Sequence, residues 1–470
     1  MVETVTPVSR SFNREIPWAE TVTPMSRVST EALGRRVGGD AVPVGLRGDG
    51  QGAFLGCFAF SGGMFYNAER RNPECGRKPP GWEQGGKSAM KILFASDSFK
   101  GSLTSERIVQ LLEQAVEQVF PGADTEGMLV ADGGEGTMDA VVAEQKGRIR
   151  TIEVRGPMGR PVQASYGLLP GGRAIVEMAQ ASGLPLVKPG ERDPMKATTY
   201  GTGQLIRDAL DQGIRDITIA VGGSATNDGG MGALAALGVK FLDGDGQPLP
   251  GCGADLARVR RVDQSGLHPA AAQTTFTVMC DVTNPLLGPS GASYTFGPQK
   301  GADPAMVEQL EEGMHRYAAL TEQATGVCAS AQPGAGAAGG LGFGLMAFLR
   351  AERRPGIETV LDLIRFDEKL KGADLVITGE GRMDWQSSFG KVPAGVGDRC
   401  KRAGVPAVAV VGGLLAGYEE IYRHGIWSVT TTINGSMSLE EAQARSEELY
   451  LDAACRLLRA VRCGMELGRG

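Results

Sequence analysis

This 470-residue sequence has little histidine, no paired cysteines and no excess of basic charge. Its three histidines show no nucleophile partner, and its eight cysteines are scattered without a C-x-x-C pair. Neither a zinc site nor a disulfide framework is therefore indicated, and a reducing cytoplasm is the expected location. The net charge of -6 argues against nucleic acid as the main partner. No apolar run approaches the ~18 residues that a membrane span needs.

Glycine is what the sequence has in excess. Its 70 glycines are about twice the average share of ~7%, and they show neither a collagen period nor a low-complexity tract. They therefore predict many tight loops. The apolar content of 42% can supply sizeable cores, and the length allows two or three domains. A small molecule is the partner that this composition favours.

Residues 1–89 differ from the rest of the chain. They lack sustained apolar periodicity, and Glu3–Pro7 returns as Glu20–Pro24. We predict that this stretch is a poorly ordered N-terminal extension. Met90 opens an ordinary first strand, which suggests the hypothesis that it is the true initiator. Mass spectrometry of the N-terminus of the natural protein would test this.

From Met90 onward, strand and helix patterns alternate as in a doubly wound parallel sheet. Three β-rich runs between Arg148 and Met178 break the alternation, and a similar series of strands and helices returns near the C-terminus. We therefore predict an α/β fold with a Rossmann-like parallel-sheet domain made of residues 90–155 and 345–465. A second α/β domain, residues 156–344, is inserted into it.

Two formal nucleotide-binding motifs fail on their context. Gly81–Ser88 spells the phosphate-loop pattern, but a Pro-rich segment precedes it and a strand follows, whereas the motif works between a strand and a helix. Gly334–Gly339 spells the dinucleotide pattern G-x-G-x-x-G after a poor strand, and no acidic strand end follows. A nicotinamide cofactor is therefore disfavoured.

Glycine-polar loops follow four of the predicted strands, beginning at Ser96, Ala131, Gly222 and Gly379. Because open α/β sheets bind ligands at the carboxyl ends of their strands, we expect these loops to line one crevice. The glycines of Gly222–Gly230 would let backbone N–H groups approach a phosphate. Turns that only cap the next helix would show the same residues.

Charged residues near the same strand ends suit a phosphoryl transfer. Lys100 could neutralise a carboxylate or a phosphate. Asp281 ends a strand and could remove a hydroxyl proton. Arg382 and Lys391 could clamp an anion. Each has an ordinary alternative as a solvated loop residue.

Seven stretches in this order resemble the glycerate kinase family, in the type 1 group found in bacteria. They are Ser96–Ser102, Ala131–Thr137, Gly222–Gly230, Cys280–Leu286, Phe296–Gly301, Pro333–Ala337, and Gly379–Arg382 with Asp384, Gln386 and Ser387. The resemblance covers about residues 90–463 and excludes 1–89.

The resemblance implies ATP- and Mg²⁺-dependent phosphorylation of D-glycerate, in this group usually at the 2-hydroxyl, which gives 2-phosphoglycerate. It also implies a flavodoxin-like domain interrupted by a second α/β domain, with the active site in the cleft between them. ATP and D-glycerate are the expected partners, and a homodimer is compatible with it. The alternatives are an NAD-dependent hydroxyacid dehydrogenase and a non-catalytic sensor that binds a small acid.

Chemistry assigns expected roles to the residues of these stretches. Asp281 is the expected base, and Lys100 and Arg382 are expected on the substrate carboxylate or the phosphoryl group. ATP is expected to contact Gly222, Gly223, Ser224, Thr226, Asn227 and Lys391. Glycerate is expected to contact Asp97, Ser98, Asn284, Glu380, Gln386 and Ser387. Mg²⁺ is expected near Asp132, Glu135, Asp228 and Asp384.

Overall fold

The structure, a computed structural model, describes residues 90–134 and 136–468. The predictions for residues 1–89 and for Glu135 as a metal ligand lie outside these described residues. Among the described helices, none combines the length and apolarity that crossing a membrane requires.

Strands and helices alternate along the described ranges. The strands are β1 (Lys91–Ser96), β2 (Asp124–Leu129), β3 (Arg148–Arg155), β4 (Pro161–Leu169), β5 (Arg173–Glu177), β6 (Asp216–Ala220), β7 (Lys240–Leu242), β8 (Arg261–Asp263), β9 (Thr275–Met279), β10 (Glu352–Arg354), β11 (Leu375–Glu380), β12 (Ala407–Val411) and β13 (Ile426–Thr431). The α-helices are α1 (Ser105–Val119), α2 (Thr137–Glu144), α3 (Ala179–Ser182), α4 (Tyr200–Asp211), α5 (Met231–Ala236), α6 (Ala292–Phe296), α7 (Pro304–Thr325), α8 (Ala337–Leu349), α9 (Gly356–Leu363), α10 (Phe366–Lys369), α11 (Val392–Ala403), α12 (Leu439–Ala444) and α13 (Ser446–Leu467). Short 3-10 turns cover Leu184–Leu186, Pro189–Glu191, Gly253–Ala257, Pro269–Gln273, Pro298–Lys300, Trp385–Ser388 and Tyr418–His424.

One sheet is built from the two ends of the described chain. Its strand order is β13-β12-β11-β1-β2, and all its pairs are parallel. Numbered within this sheet, the order is the 2-1-3-4-5 arrangement of flavodoxin-like folds. Alternate residues of β1 face opposite layers, since Ile92 and Phe94 pack with α1 and α13, whereas Leu93 and Ala95 face α2, α9 and α11. This sheet is therefore buried on both faces.

The middle of the chain forms a second sheet, with the order β10-β9-β6-β5-β4-β3. β5, β6, β9 and β10 are parallel, and β3 and β4 form an antiparallel extension of that group. Helices α4, α5, α7 and α8 supply its main core, together with aromatic residues such as Phe241 and Phe343. The fold class is α/β, as predicted.

The strand pairing shows that the chain crosses between the two sheets at positions that differ from the predicted domain boundaries. β3, which we assigned to the discontinuous domain, pairs along its whole length with β4 in the second sheet. β10 also pairs there, beside β9. The sequence did not indicate β10, because Glu352–Arg354 is a short charged run without apolar alternation. We therefore propose domain limits near Gly147 and Pro355 in place of 155 and 345.

The first sheet has its topological switch point between β1 and β11. Crossover connections leave this point in opposite directions, so a crevice opens beyond the carboxyl ends of these two strands. The backbone N–H of Asp97 donates to the carbonyl of Gly379 at 3.0 Å, which ties the first residues of both loops together. Functional side chains are expected at this edge.

Candidate active site

Carboxyl ends of strands from both sheets line a cavity of about 430 Å³. Asp132–Gly134, which follow β2, supply one wall. Val221–Ser224 after β6 and Met279–Val282 after β9 supply the facing wall. The cavity is completed by Leu184, Phe296, Gln299, Ala337 and Ala338. It lies between the two sheets, where the family resemblance implied the active site.

Glycines allow the two sheets to approach each other at this cavity. A Cβ atom on Gly356 would lie 2.2 Å from the carbonyl oxygen of Asp132 and 2.8 Å from Oδ2 of Asp281. A Cβ atom on Gly133, whose φ is +93°, would lie 2.9 Å from the Cα of Gly356. Neither position has room for a side chain. The backbone of one sheet therefore reaches the catalytic candidates of the other.

Asp281 lies on the wall of this cavity, with part of its surface exposed and its carboxyl group among the surrounding loops. Its Oδ1 accepts a hydrogen bond from the N–H of Gly356 at 2.8 Å, which fixes the carboxylate. Burial by the surrounding walls raises its pKa, and the nearby Asp132 raises it further. The Gly356 N–H and Arg353 act in the opposite direction. A carboxylate with a raised pKa is better suited than an ordinary one to accept a proton.

Asp97 lies close enough to Asp132 for the charge of Asp132 to affect its pKa. Burial raises the pKa of Asp97 to about 6, with further contributions from Asp132 and Glu380. The N–H of Ser98, which donates to Asp97 Oδ1 at 2.7 Å, and the charge of Lys100 partly offset this rise. A second cavity of about 520 Å³ adjoins this group. Its lining includes Asp97, Ser98 and Lys100 and the backbone on both sides of Asp132–Gly134.

The four predicted loops are neighbours. The Ala131 loop lines both cavities, the Gly222 loop lines the first and the Ser96 loop lines the second. The Gly379 loop touches the Ser96 loop, and farther along, a Cβ atom on Gly390 would lie 3.4 Å from Asp281 Oδ1. Three of the four loops therefore line two cavities, and the Gly379 loop contacts the Ser96 loop beside them.

The glycine loop after β6 divides into an open half and a buried half. Gly222 and Gly223 are exposed and, with Ser224, line the cavity. Among the described residues, the N–H groups of Gly222 and Gly223 have no hydrogen-bond acceptor. The carbonyl of Gly223 is turned away and accepts from the N–H of Leu184 at 2.8 Å. Free N–H groups beside a cavity are suited to bind an anion.

The buried half gives no support to three of the predicted assignments. Thr226, Asn227 and Asp228 have no exposed surface, so their side chains cannot contact a nucleotide in the cavity as placed. Asp228 accepts from the N–H and Oγ1 of Thr199, both at 2.8 Å, and from the N–H groups of Gly230 and Gly232. Its carboxylate caps α5 and has no free route to a metal. The geometry therefore makes it structural.

A polar cluster follows β11, outside the linings of both cavities. Lys391 Nζ lies 3.5 Å from Oε2 of the buried Glu380. Asp384 Oδ1 accepts from the N–H of Gln386 at 2.9 Å, and Ser387 Oγ accepts from the N–H of Asp384 at 3.0 Å. Asp384 thus caps the turn that carries Gln386 and Ser387. A metal role for it finds no support in this geometry.

The other predicted residues do not line the first cavity. Lys100 is exposed on the turn after β1. Arg382 has 70% of its side chain exposed, with Nε 3.9 Å from Asp384 Oδ2. Asn284 donates from Nδ2 to the carbonyl of Ser290 at 2.7 Å, so its amide serves its own loop. These positions leave their roles as predictions.

Some lining residues received no role from the sequence. Cys280, Phe296 and Gln299 lie in stretches that carried the resemblance, so the motifs themselves were the signal. Gly356 lies outside all of them, and only the structure shows its contact with Asp281. Turn residues, and no described strand, directly precede Gly334–Gly339.

The glycerate kinase family model matches residues 92–462. A glycerate kinase from Halalkalibacterium halodurans is 45% identical over 365 residues, which make up 77% of this chain and 96% of that protein. A glycerate 2-kinase from Escherichia coli K12 is 43% identical over 380 residues, 81% of this chain and 99% of that protein. A crystal structure of a protein assigned as glycerate kinase 2 from Salmonella typhimurium LT2 gives a TM-score of 0.74 at 43% identity, covering 81% of this chain and 100% of that one.

The two-part α/β fold and the relatives together define an enzyme of the phosphotransferase class, with an alcohol group as acceptor. The chain belongs to the glycerate kinase family.

Because the pKa of Asp97 is raised, we predict that replacing its carboxylate with a neutral side chain stabilises the protein. The size of this gain should depend on pH. The folded protein holds the proton up to about pH 6, whereas the unfolded chain releases it near the ordinary value of 3.8, so stability falls as pH rises through this window. We expect Asp97→Asn to raise the free energy of unfolding by about 1–2 kcal/mol at pH 7.5. Below about pH 4 the gain should vanish.

Urea unfolding at pH 3.5 and pH 7.5 measures this difference. Asp139→Asn, at an exposed carboxylate that lines the same second cavity, is the control and should change little. A variant Asp97→Asn that is less stable than the parent at pH 7.5 would contradict the account.

Proposed function

We propose that this protein is an ATP-dependent glycerate kinase that transfers the γ-phosphoryl group of ATP to the 2-hydroxyl of D-glycerate. Family membership supports the reaction class. The observation that carries the mechanism is one cavity that presents the free N–H groups of Gly222 and Gly223 together with Asp132 and Asp281. Such a cavity offers both an anion site and an acid-base group.

The phosphate chain of ATP would lie against the open half of the glycine loop. Gly223 has a φ of +71°, a conformation that glycine adopts without strain. Ser224 adds a hydroxyl beside these backbone donors. Donors that are already oriented stabilise the negative charge of a phosphoryl group without reorganising during the reaction.

Asp281 would act as the general base. It takes the proton of the 2-hydroxyl while that oxygen forms a bond to the γ-phosphorus, and the bond between the γ-phosphorus and the bridging oxygen of ADP breaks. ADP leaves with the electron pair of that bond. The hydrogen bond from Gly356 fixes Oδ1 and leaves Oδ2 for the substrate.

The acidic residues fit a magnesium ion that arrives with the nucleotide. No group of three or more His, Cys, Asp or Glu side chains in the described ranges could hold a metal alone. Mg²⁺ needs only about one or two protein carboxylates when phosphates and waters complete its shell. Asp132, on the cavity wall, would supply such a carboxylate. The bound ion would neutralise charge on the phosphates.

Glycerate also carries a carboxylate, for which Lys100 is our proposed partner. Lys100 lies near Asp97 at the adjoining cavity, beside Ser98. An exposed lysine can move toward an incoming anion at little cost in desolvation. Arg382 and Lys391 remain proposed anion clamps, at the outer edge of the same group of loops.

We predict that the purified protein releases ADP from ATP and Mg²⁺ only when D-glycerate is present. A coupled ADP assay measures the release, and NMR of the product identifies the phosphorylated position, expected to be the 2-hydroxyl. L-glycerate and a reaction without Mg²⁺ are the controls. Absence of ADP release would contradict the kinase, NADH formation from NAD would favour a dehydrogenase, and glycerate binding without turnover would favour a sensor.

Asp281→Asn tests the proposed base. Asparagine keeps an oxygen that can accept from Gly356, but it cannot take the proton, so kcat should fall by about 10²–10⁴-fold with little change in the free energy of unfolding. Steady-state kinetics with D-glycerate measures this. Asp245→Asn removes an exposed carboxylate near β7 and should leave kcat unchanged. Wild-type turnover of Asp281→Asn would exclude Asp281 as the base.

A further inference from the structure

Lys300 is buried behind the cavity wall. It ends the short turn Pro298–Lys300, next to the lining residue Gln299, and only 1% of it is exposed. Its Nζ donates to the carbonyl oxygen of Thr226 at 2.7 Å. A lysine is almost never this deeply buried unless it is paired. The proposed reaction gives it no role.

A buried ammonium group is costly, and the structure offsets this only in part. Burial lowers the pKa of Lys300 to about 7, while the charge of Asp228 acts in the opposite direction. A methionine of similar length would fill the same space without a charge to desolvate. Packing alone therefore does not explain a lysine here.

The hydrogen bond of Lys300 falls where the buried half of the glycine loop begins. Thr226 is two residues beyond Ser224, the last residue of the loop to line the cavity. Other anchors act farther along, since Tyr317 Oη donates to the carbonyl of Gly229 at 3.1 Å and the N–H of Gly229 donates to the carbonyl of Gly339 at 3.0 Å. Among the described residues, Lys300 is thus the buried side chain whose hydrogen bond to a loop carbonyl lies nearest to the open half.

We propose that Lys300 is a positioning residue for nucleotide phosphates. It holds the carbonyl of Thr226 inward, so that the N–H groups of Gly222 and Gly223 stay directed at the cavity, and its charge adds positive potential behind them. The inference rests on the proposed function, because it takes the ligand of this loop to be ATP. An anion at the loop and a cation beneath it attract each other strongly where water is excluded.

Lys300→Met tests the proposal. Titration calorimetry with ATP and Mg²⁺, without glycerate, should show a Kd at least tenfold higher, and the KM for ATP should rise more than kcat falls. The unfolding midpoint should change little, because removal of a buried charge offsets the loss of the donor to the Thr226 carbonyl. Lys196→Met, at a lysine with 76% of its side chain exposed, removes the same charge from the surface and should change neither Kd nor KM.

Lys300→Gln provides a second variant, since it keeps a hydrogen-bond donor without the charge, and its Kd should lie between those of the parent and Lys300→Met. ATP affinities of both variants equal to the parent would overturn the inference while leaving the kinase intact. A lower unfolding midpoint with an unchanged KM for ATP would also overturn it, because the residue would then be merely structural. A parent protein that neither binds ATP nor phosphorylates glycerate would instead contradict the proposed function.

Discussion

The backbone contact between Gly356, Asp132 and Asp281 is the constraint on which the site depends. Gly356 starts α9, where the chain returns from the second sheet to the first, and its N–H holds Asp281 at the end of β9. Because a Cβ atom at Gly356 would overlap the carbonyl of Asp132, the approach requires glycine. Burial at this contact raises the pKa of Asp281, and the nearby Asp132 raises it further, although the Gly356 N–H acts in the opposite direction. Geometry and electrostatics at the cavity therefore have one origin.

The glycine loop after β6 shows how one segment serves both binding and stability. Its open half keeps free N–H groups at the cavity, while hydrogen bonds anchor the buried half behind it. Asp228 takes four donors from Thr199 and the start of α5, and Tyr317 and Lys300 hold loop carbonyls. A loop anchored in this way loses little conformational freedom when an anion binds. Rigidity behind the loop thus favours binding in front of it.

Apolar runs and glycine-rich strand ends predicted the parallel sheets, because buried strands and the loops beyond them leave strong local patterns. Pairing between distant segments leaves no local pattern in the sequence. The sequence therefore could not show that β3 belongs to the second sheet or that Glu352–Arg354 forms β10. The sequence also does not show which residues of a loop are buried. Asp228 and Asp281 both follow a β-strand, yet one is enclosed by backbone donors and the other faces the cavity. Only the assembled fold separates a capping carboxylate from a candidate base.

Substitution of Gly356 by alanine tests the central contact most directly. Helix propensity alone would make alanine more stable by up to ~1 kcal/mol, and Gly464→Ala in α13, where a Cβ meets nothing within 4 Å, should show that gain. The account predicts the opposite at Gly356: a lower free energy of unfolding, and a kcat for D-glycerate reduced at least tenfold as Asp281 is displaced. A Gly356→Ala enzyme with the stability and turnover of the parent would contradict it.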